Sequence, residues 1–180
     1  TLLEVCQSER PPPLTPSQFY NELETKSFTH RGRDFGVVRA LYRRAIDRMR
    51  VATCLDFSAL GWIDADAKQL AKLLGNGYGK HCKRLLISHN QISNVGLAAI
   101  AHSLRNGQVC NLESIDLRGT IASIDGRQDV RDAVDEIMRS GILRSREVKV
   151  FGAPEHCTND PADCPPAFAR CCGSCSACCG

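Results

Sequence analysis

Residues 82–104 read Cys-Lys-Arg-Leu-Leu-Ile-Ser-His-Asn-Gln-Ile-Ser-Asn-Val-Gly-Leu-Ala-Ala-Ile-Ala-His-Ser-Leu. The stretch 83–88 has the pattern of a short strand. From Gly96 to Leu104 the apolar residues fall at helical spacing, and Asn106-Gly107 stops them. Take Asn90 as position zero. The strand then contributes Leu85 at minus five and Ile87 at minus three, and the helix contributes Ile100 at plus ten and Leu104 at plus fourteen. A shift of 30 residues in either direction, without gaps, keeps all four positions apolar. The columns are Leu55, Leu85, Ile115; Phe57, Ile87, Leu117; Leu70, Ile100, Val130; and Leu74, Leu104, Val134. Apolar residues make up 43% of the chain, so agreement at all twelve points marks a repeat rather than coincidence. Position plus six holds Asp66, Gly96 and Gly126. Glycine there is read as permitting a tight turn into the helix.

Working outward, strands are expected over 54–58, 83–88, 114–118 and 147–151. Helices are expected over 63–74, 96–104 and 127–139, the first stopped by Gly75-Asn76-Gly77. If Val148 and Val150 are the next strand positions, the last interval stretches by three residues. A further helix is expected from Val37, with Val38, Leu41, Tyr42, Ala45, Ile46 and Met49 on one face. Residues 9–16 are proline-rich and read as a loop, a weak helix follows over 17–25, and 29–36 reads as a loop. Alternating strands and helices give the α/β class. No single unit can bury both of its apolar faces, so the units must stack. The expected organisation is an irregular segment over 1–36, a repeat domain with an N-terminal cap helix over 37–153, and a disordered cysteine-rich tail over 154–180.

Residues 82–104 resemble one leucine-rich repeat of the ribonuclease-inhibitor type, and so does Leu-Glu-Ser-Ile-Asp-Leu-Arg-Gly-Thr over 112–120. The resemblance covers roughly residues 51–153. It implies a solenoid with short parallel strands on a concave face and helices on a convex one. Two departures stand out. The family's asparagine at position zero, which bonds loop backbone, is Leu60 in the first copy and Thr120 in the third. The array is also short, which fits either a truncated array or a small variant capped by residues 37–50. Leu3 and Val5 could be the remnant of an earlier strand. A second resemblance is to the strand-turn-helix of STAS regulatory domains, carried by Cys-Leu-Asp-Phe-Ser-Ala-Leu-Gly-Trp-Ile-Asp-Ala-Asp over 54–66. It implies a mixed sheet with a ligand or partner site at the start of the helix.

The chain has 180 residues, a net charge of +3 and 24% charged residues, as a globular domain does. That charge does not argue for nucleic acid or membrane by itself. No run of 18 apolar residues offers a transmembrane helix. The sequence starts Thr-Leu-Leu-Glu without an initiating Met or basic n-region, which reads as no signal peptide and as a possible fragment. Of 11 cysteines, Cys6, Cys54, Cys82 and Cys110 are scattered and seven crowd the last 24 residues, which excludes a disulfide framework through the whole chain. A reducing, cytoplasmic compartment is expected.

On the repeat reading, residues between the buried strand positions form the partner-binding face. They are Asp56, Ser58, Arg84, Leu86, Ser88, Ser114, Asp116, Arg118, Glu147, Lys149 and Phe151. Apolar anchors among mixed charges suit a protein partner rather than a nucleic acid. Regulation of a small GTPase, known for some proteins with this repeat, is the alternative from another class, but no residue carries it over. Arg31, Arg33, Arg39, Arg43, Arg44, Arg48 and Arg50 read either as a solvated face or as a basic patch for an acidic partner, RNA or anionic lipid. The five histidines form no recognisable catalytic arrangement in sequence, and no enzyme activity or cofactor is expected. Cys54, Cys82 and Cys110 occupy different register positions, and Cys82 reads as a buried small hydrophobe. In the tail, Cys171, Cys172, Cys175, Cys178 and Cys179 leave three readings open. They are S-acylation, which would bring the chain to a membrane, metal binding, and no function.

Overall fold

The computed structural model describes residues 10–106, 108–144 and 147–153. Among them lie α1 (Pro16–Glu24), α2 (Arg31–Val51), β1 (Cys54–Asp56), α3 (Asp64–Leu73), β2 (Arg84–Leu86), α4 (Asn94–Arg105), β3 (Ser114–Asp116), α5 (Ile124–Arg139) and β4 (Lys149–Phe151). The four strands form one parallel sheet in the order β1-β2-β3-β4. It is not the mixed sheet that the STAS resemblance implies. The pairing follows the repeat: Leu55 lies beside Leu85, and Leu85 beside Ile115. Helix α4 packs against both α3 and α5.

The four apolar columns form the core between sheet and helices. Eleven of their twelve residues are buried, and Phe57 is partly buried at the edge, stacked on Trp62 with ring centroids 4.7 Å apart. Each fully buried aliphatic side chain contributes about 1.5–3 kcal/mol relative to exposure. Cys82 is buried at the repeat position of Leu112, as expected.

Polar side chains lock each unit to the one before it. The Asn90 side chain is buried between two units. Its Oδ1 accepts from the backbone N–H of Leu60 and Trp62, each at 3.0 Å, and its Nδ2 donates to Phe57 O at 2.8 Å and Ile87 O at 2.9 Å. In the third copy Thr120 stays within its own unit, with Oγ1 donating to Leu117 O at 2.9 Å. Near the helix starts, Asp64 Oδ1 accepts from the N–H of Ser93 at 2.7 Å and of Gly96 at 3.1 Å, and Oδ2 accepts from Ser93 Oγ at 2.6 Å. Asp64 of α3 therefore caps α4. Thirty residues on, Asn94 holds Ser123, the N-cap of α5, its Oδ1 accepting from Ser123 N at 2.8 Å, while Ser123 Oγ accepts from Gly126 N.

This contact explains the glycines at plus six, and not as a turn. Gly96 and Gly126 lie inside α4 and α5. A Cβ on Gly96 would stand 2.6 Å from Asp64 Oδ1 and from Ile92 Cγ2, and one on Gly126 would stand 2.3 Å from Asn94 Oδ1. Glycine lets the capping side chain of the previous helix reach the next. The tight turn lies seven residues earlier, at Ala59, His89 and Gly119, all with φ between 54° and 67°. Only one of the three is glycine, so residue type did not mark that column.

Both ends depart from the simple repeat. The loop expected over 29–36 is helical from Arg31, so α2 starts before Val37. Its inner line is Val38, Tyr42, Ile46 and Met49, whereas Leu41, at 56% exposure, and Ala45 face solvent. Helix α1 begins with a capping box, Gln18 N–H to Thr15 Oγ1 and Thr15 N–H to Gln18 Oε1, with Pro16 at its first position. The chain before it is tied to the first unit and to α2: Trp62 Nε1 donates to Arg10 O at 2.7 Å, and Tyr42 Oη donates to Leu14 O at 2.6 Å. Gly75-Asn76-Gly77 does not stop α3 outright. The chain continues as a wider helical turn, Leu74–Tyr78, and leaves it at Gly77 with φ 79°. At the other end Val150, not Val148, pairs with Ile115, so the last interval is 35 residues rather than 33. The addition is partly taken up by α5, which has 16 residues against 12 in α4.

Candidate functional site

The sheet surface turned away from the helices is a grid set by the pairing. One row is Cys54, Arg84, Ser114 and Lys149, and the next is Asp56, Leu86, Asp116 and Phe151. Adjacent parallel strands lie about 4.8 Å apart, so each row is about 14 Å long. Asp56, Arg84, Lys149 and Phe151 are exposed, and Cys54, Leu86 and Ser114 are half-buried.

Ser58, Ser88 and Arg118 follow the strands as a third row. Their chemistry is mostly internal. Ser88 is buried, with its hydroxyl 3.1 Å from Ser58 Oγ. Asp116 is buried too, under a fork from Arg118: Nε donates to Oδ1 at 2.9 Å, Nη2 to Oδ2 at 2.8 Å, and the Arg118 N–H to Oδ1 at 3.1 Å. That guanidinium holds the Asp116 carboxyl below its ordinary range, against the opposing effect of burial. The exposed side of the guanidinium lies 5.4 Å from the centre of the Phe151 ring. Asp56 accepts its own turn's Ser58 N–H at 3.0 Å.

Two of the expected contact residues, Ser88 and Asp116, are therefore buried and corrected to supporting positions. Glu147 is exposed and lies two residues before Lys149, ahead of β4 and outside its paired positions. Asp56, Ser58, Arg84, Leu86, Ser114, Arg118, Lys149 and Phe151 are brought together as expected. Cys54 was missed, although its column with Arg84 and Ser114 would have found it. His89, in the turn after β2, is exposed, and its ring lies against Gly119, where a Cβ would stand 2.5 Å from Nδ1.

Arg84 and Lys149 flank Ser114, and among the described residues neither has an ion-pair partner. Leu86 and Phe151 lie one row on. The grid thus offers two free cations and two apolar contacts, with Arg118 pre-positioned by Asp116. Among the described residues no three His, Cys, Asp or Glu side chains gather as a metal site, and Cys54, Cys82 and Cys110 are free thiols. Burial pushes the Cys82 thiol up to about 11, which makes it a poor nucleophile. The tail cysteines Cys171, Cys172, Cys175, Cys178 and Cys179 lie outside the described residues. No protein-family model matches the chain, and no curated protein matches it either.

Proposed function

We propose that the chain is a short leucine-rich repeat solenoid of the ribonuclease-inhibitor type that works as a non-catalytic protein-interaction module. Its concave sheet face is the binding surface. One observation carries this reading: the 30-residue apolar period coincides with the β1-β2-β3 pairing register, and β4 extends that sheet so that Arg84, Leu86, Lys149 and Phe151 share one uncovered grid. Leu86 and Phe151 supply desolvated anchors, and Arg84, Lys149 and Arg118 select for a partner with carboxylates. The odd cysteine total and the buried, unpaired Cys82 support a reducing, cytoplasmic compartment. No described helix is long and apolar enough to cross a membrane. Acylation of the tail would add an anchor without altering the binding face.

Photo-crosslinking tests the assignment. A photoreactive residue at Leu86, in cells that express the full chain, is expected to capture a discrete partner that the same residue at Lys72 of α3 does not. Equal capture from both faces, or none from Leu86, contradicts it.

A further inference from the structure

Helix α2 carries more than its packing needs. Its inner line, Val38, Tyr42, Ile46 and Met49, is already packed: Tyr42 stacks on Phe19 of α1 with ring centroids 3.6 Å apart, Ile46 is buried, and Met49 packs against the core. The opposite face is defined by steps of three and four residues: Arg33, Val37, Ala40, Leu41, Arg44, Arg48 and Val51, all exposed. Val37, Leu41 and Val51 are 53%, 56% and 66% exposed. The helix has seven arginines against Asp34 and Asp47. The arginines divide by role. Arg39 lies 4.4 Å over the Tyr20 ring and Arg50 lies 5.1 Å from the Tyr78 ring, so both help hold the helix down. Arg33, Arg44 and Arg48 have no ion-pair partner among the described residues and surround the exposed Val37 and Leu41.

We infer that this outer face of α2 is a peripheral docking surface for an anionic lipid bilayer. Charge complementarity names the occupant's sign: three free guanidiniums share one azimuth, and Asp34 and Asp47 stand at its two flanks. Guanidinium forks fit phosphate oxygens two at a time. Shape favours a bilayer over a protein. The 21-residue helix is a ridge about 31 Å long with its opposite side already packed, so it offers no groove to a partner helix or peptide. A straight ridge with short aliphatic side chains among arginines can lie in the headgroup plane and insert Val37 and Leu41 shallowly. This surface is separate from the sheet face and stands or falls independently of it.

The test uses the full, unlipidated 180-residue chain and sedimentation with vesicles of phosphatidylcholine, with or without roughly one third phosphatidylserine. Binding is expected only to the anionic vesicles and should weaken with salt. An arginine near such a surface is worth roughly a fivefold change in affinity, so Arg33→Gln/Arg44→Gln/Arg48→Gln should cost about 100-fold. Val37→Ser/Leu41→Ser should cost roughly tenfold. The control Lys68→Gln/Lys72→Gln/Lys80→Gln removes the same charge from exposed positions elsewhere and should change little. No binding to anionic vesicles, equal losses from the arginine and lysine variants, or tighter binding to an RNA oligomer or to polyglutamate than to vesicles would each overturn the proposal.

Discussion

At the scale of single residues, the fold depends on polar groups that the apolar pattern does not reveal. Asp64 shows this most clearly. Its partial burial disfavours the carboxylate, but the hydroxyl and amide of Ser93 and the amide of Gly96 outweigh that, and its pKa is lowered. A lowered folded-state pKa means stability that is present above the unfolded value near 4 and lost as pH falls through the folded value. The next unit supplies a natural substitute, because Asn94 holds the N–H of Ser123 at the same repeat position without charge. Asp64→Asn should therefore stay within about 1 kcal/mol of the parent in urea unfolding at pH 7. Asp64→Ala should cost about 1–2 kcal/mol, the loss of a cap. Between pH 5 and 3 both variants should lose stability less steeply than the parent. The column of Asp64 and Asn94 was open to inspection in the sequence, but nothing marked it, because Asp and Asn are ordinary surface residues.

At the scale of elements, most of the sheet and helix order was legible. Leu55, Leu85 and Ile115 lie side by side as the period requires, and Ile100 and Leu104 cover them. The reason assigned to Gly96 and Gly126 was not legible, because a glycine serves a turn and a close approach equally well in one dimension. The distinction is measurable. Glycine to alanine inside a helix normally stabilises by about 1 kcal/mol. Gly36→Ala in α2, where nothing stands within 4 Å, should follow that rule. Gly126→Ala in α5 should reverse it and cost about 1–3 kcal/mol, since its Cβ would also approach the Asn94 Cα to 3.0 Å. Thermal unfolding of the two variants beside the parent checks the sign. The start of α2 was misplaced for a related reason: Gly32 and Gly36 read as loop residues, but a long helix already packed along Val38, Tyr42, Ile46 and Met49 tolerates them. The last interval was misjudged because Val148 and Val150 are both apolar and both buried, and only the pairing with Ile115 separates them.

At the scale of the whole molecule, the chain has a packed face and an uncovered face, and the two were legible to different degrees. Alternation placed Arg84, Ser114 and Lys149 in one row of the sheet face and Asp56, Leu86, Asp116 and Phe151 in the next. It could not show that Arg118 folds back onto Asp116 two residues earlier, which depends on a side-chain rotamer, nor that Ser88 lies beneath the surface against Ser58 of the neighbouring unit. Each sheet edge is a three-residue strand, and the β4 edge carries Lys149, which limits pairing of the edges with other chains.

The most direct measurement is the affinity of the partner captured at Leu86 for three forms of the full chain: the parent, Arg84→Glu/Lys149→Glu, and Lys68→Glu/Lys72→Glu on the helix side. Reversal on the grid is predicted to weaken binding at least about tenfold, or about 1.4 kcal/mol, while reversal on the helix side leaves it within about twofold. Equal losses from the two double variants, or an unchanged affinity in Arg84→Glu/Lys149→Glu, would contradict the assignment of the sheet face.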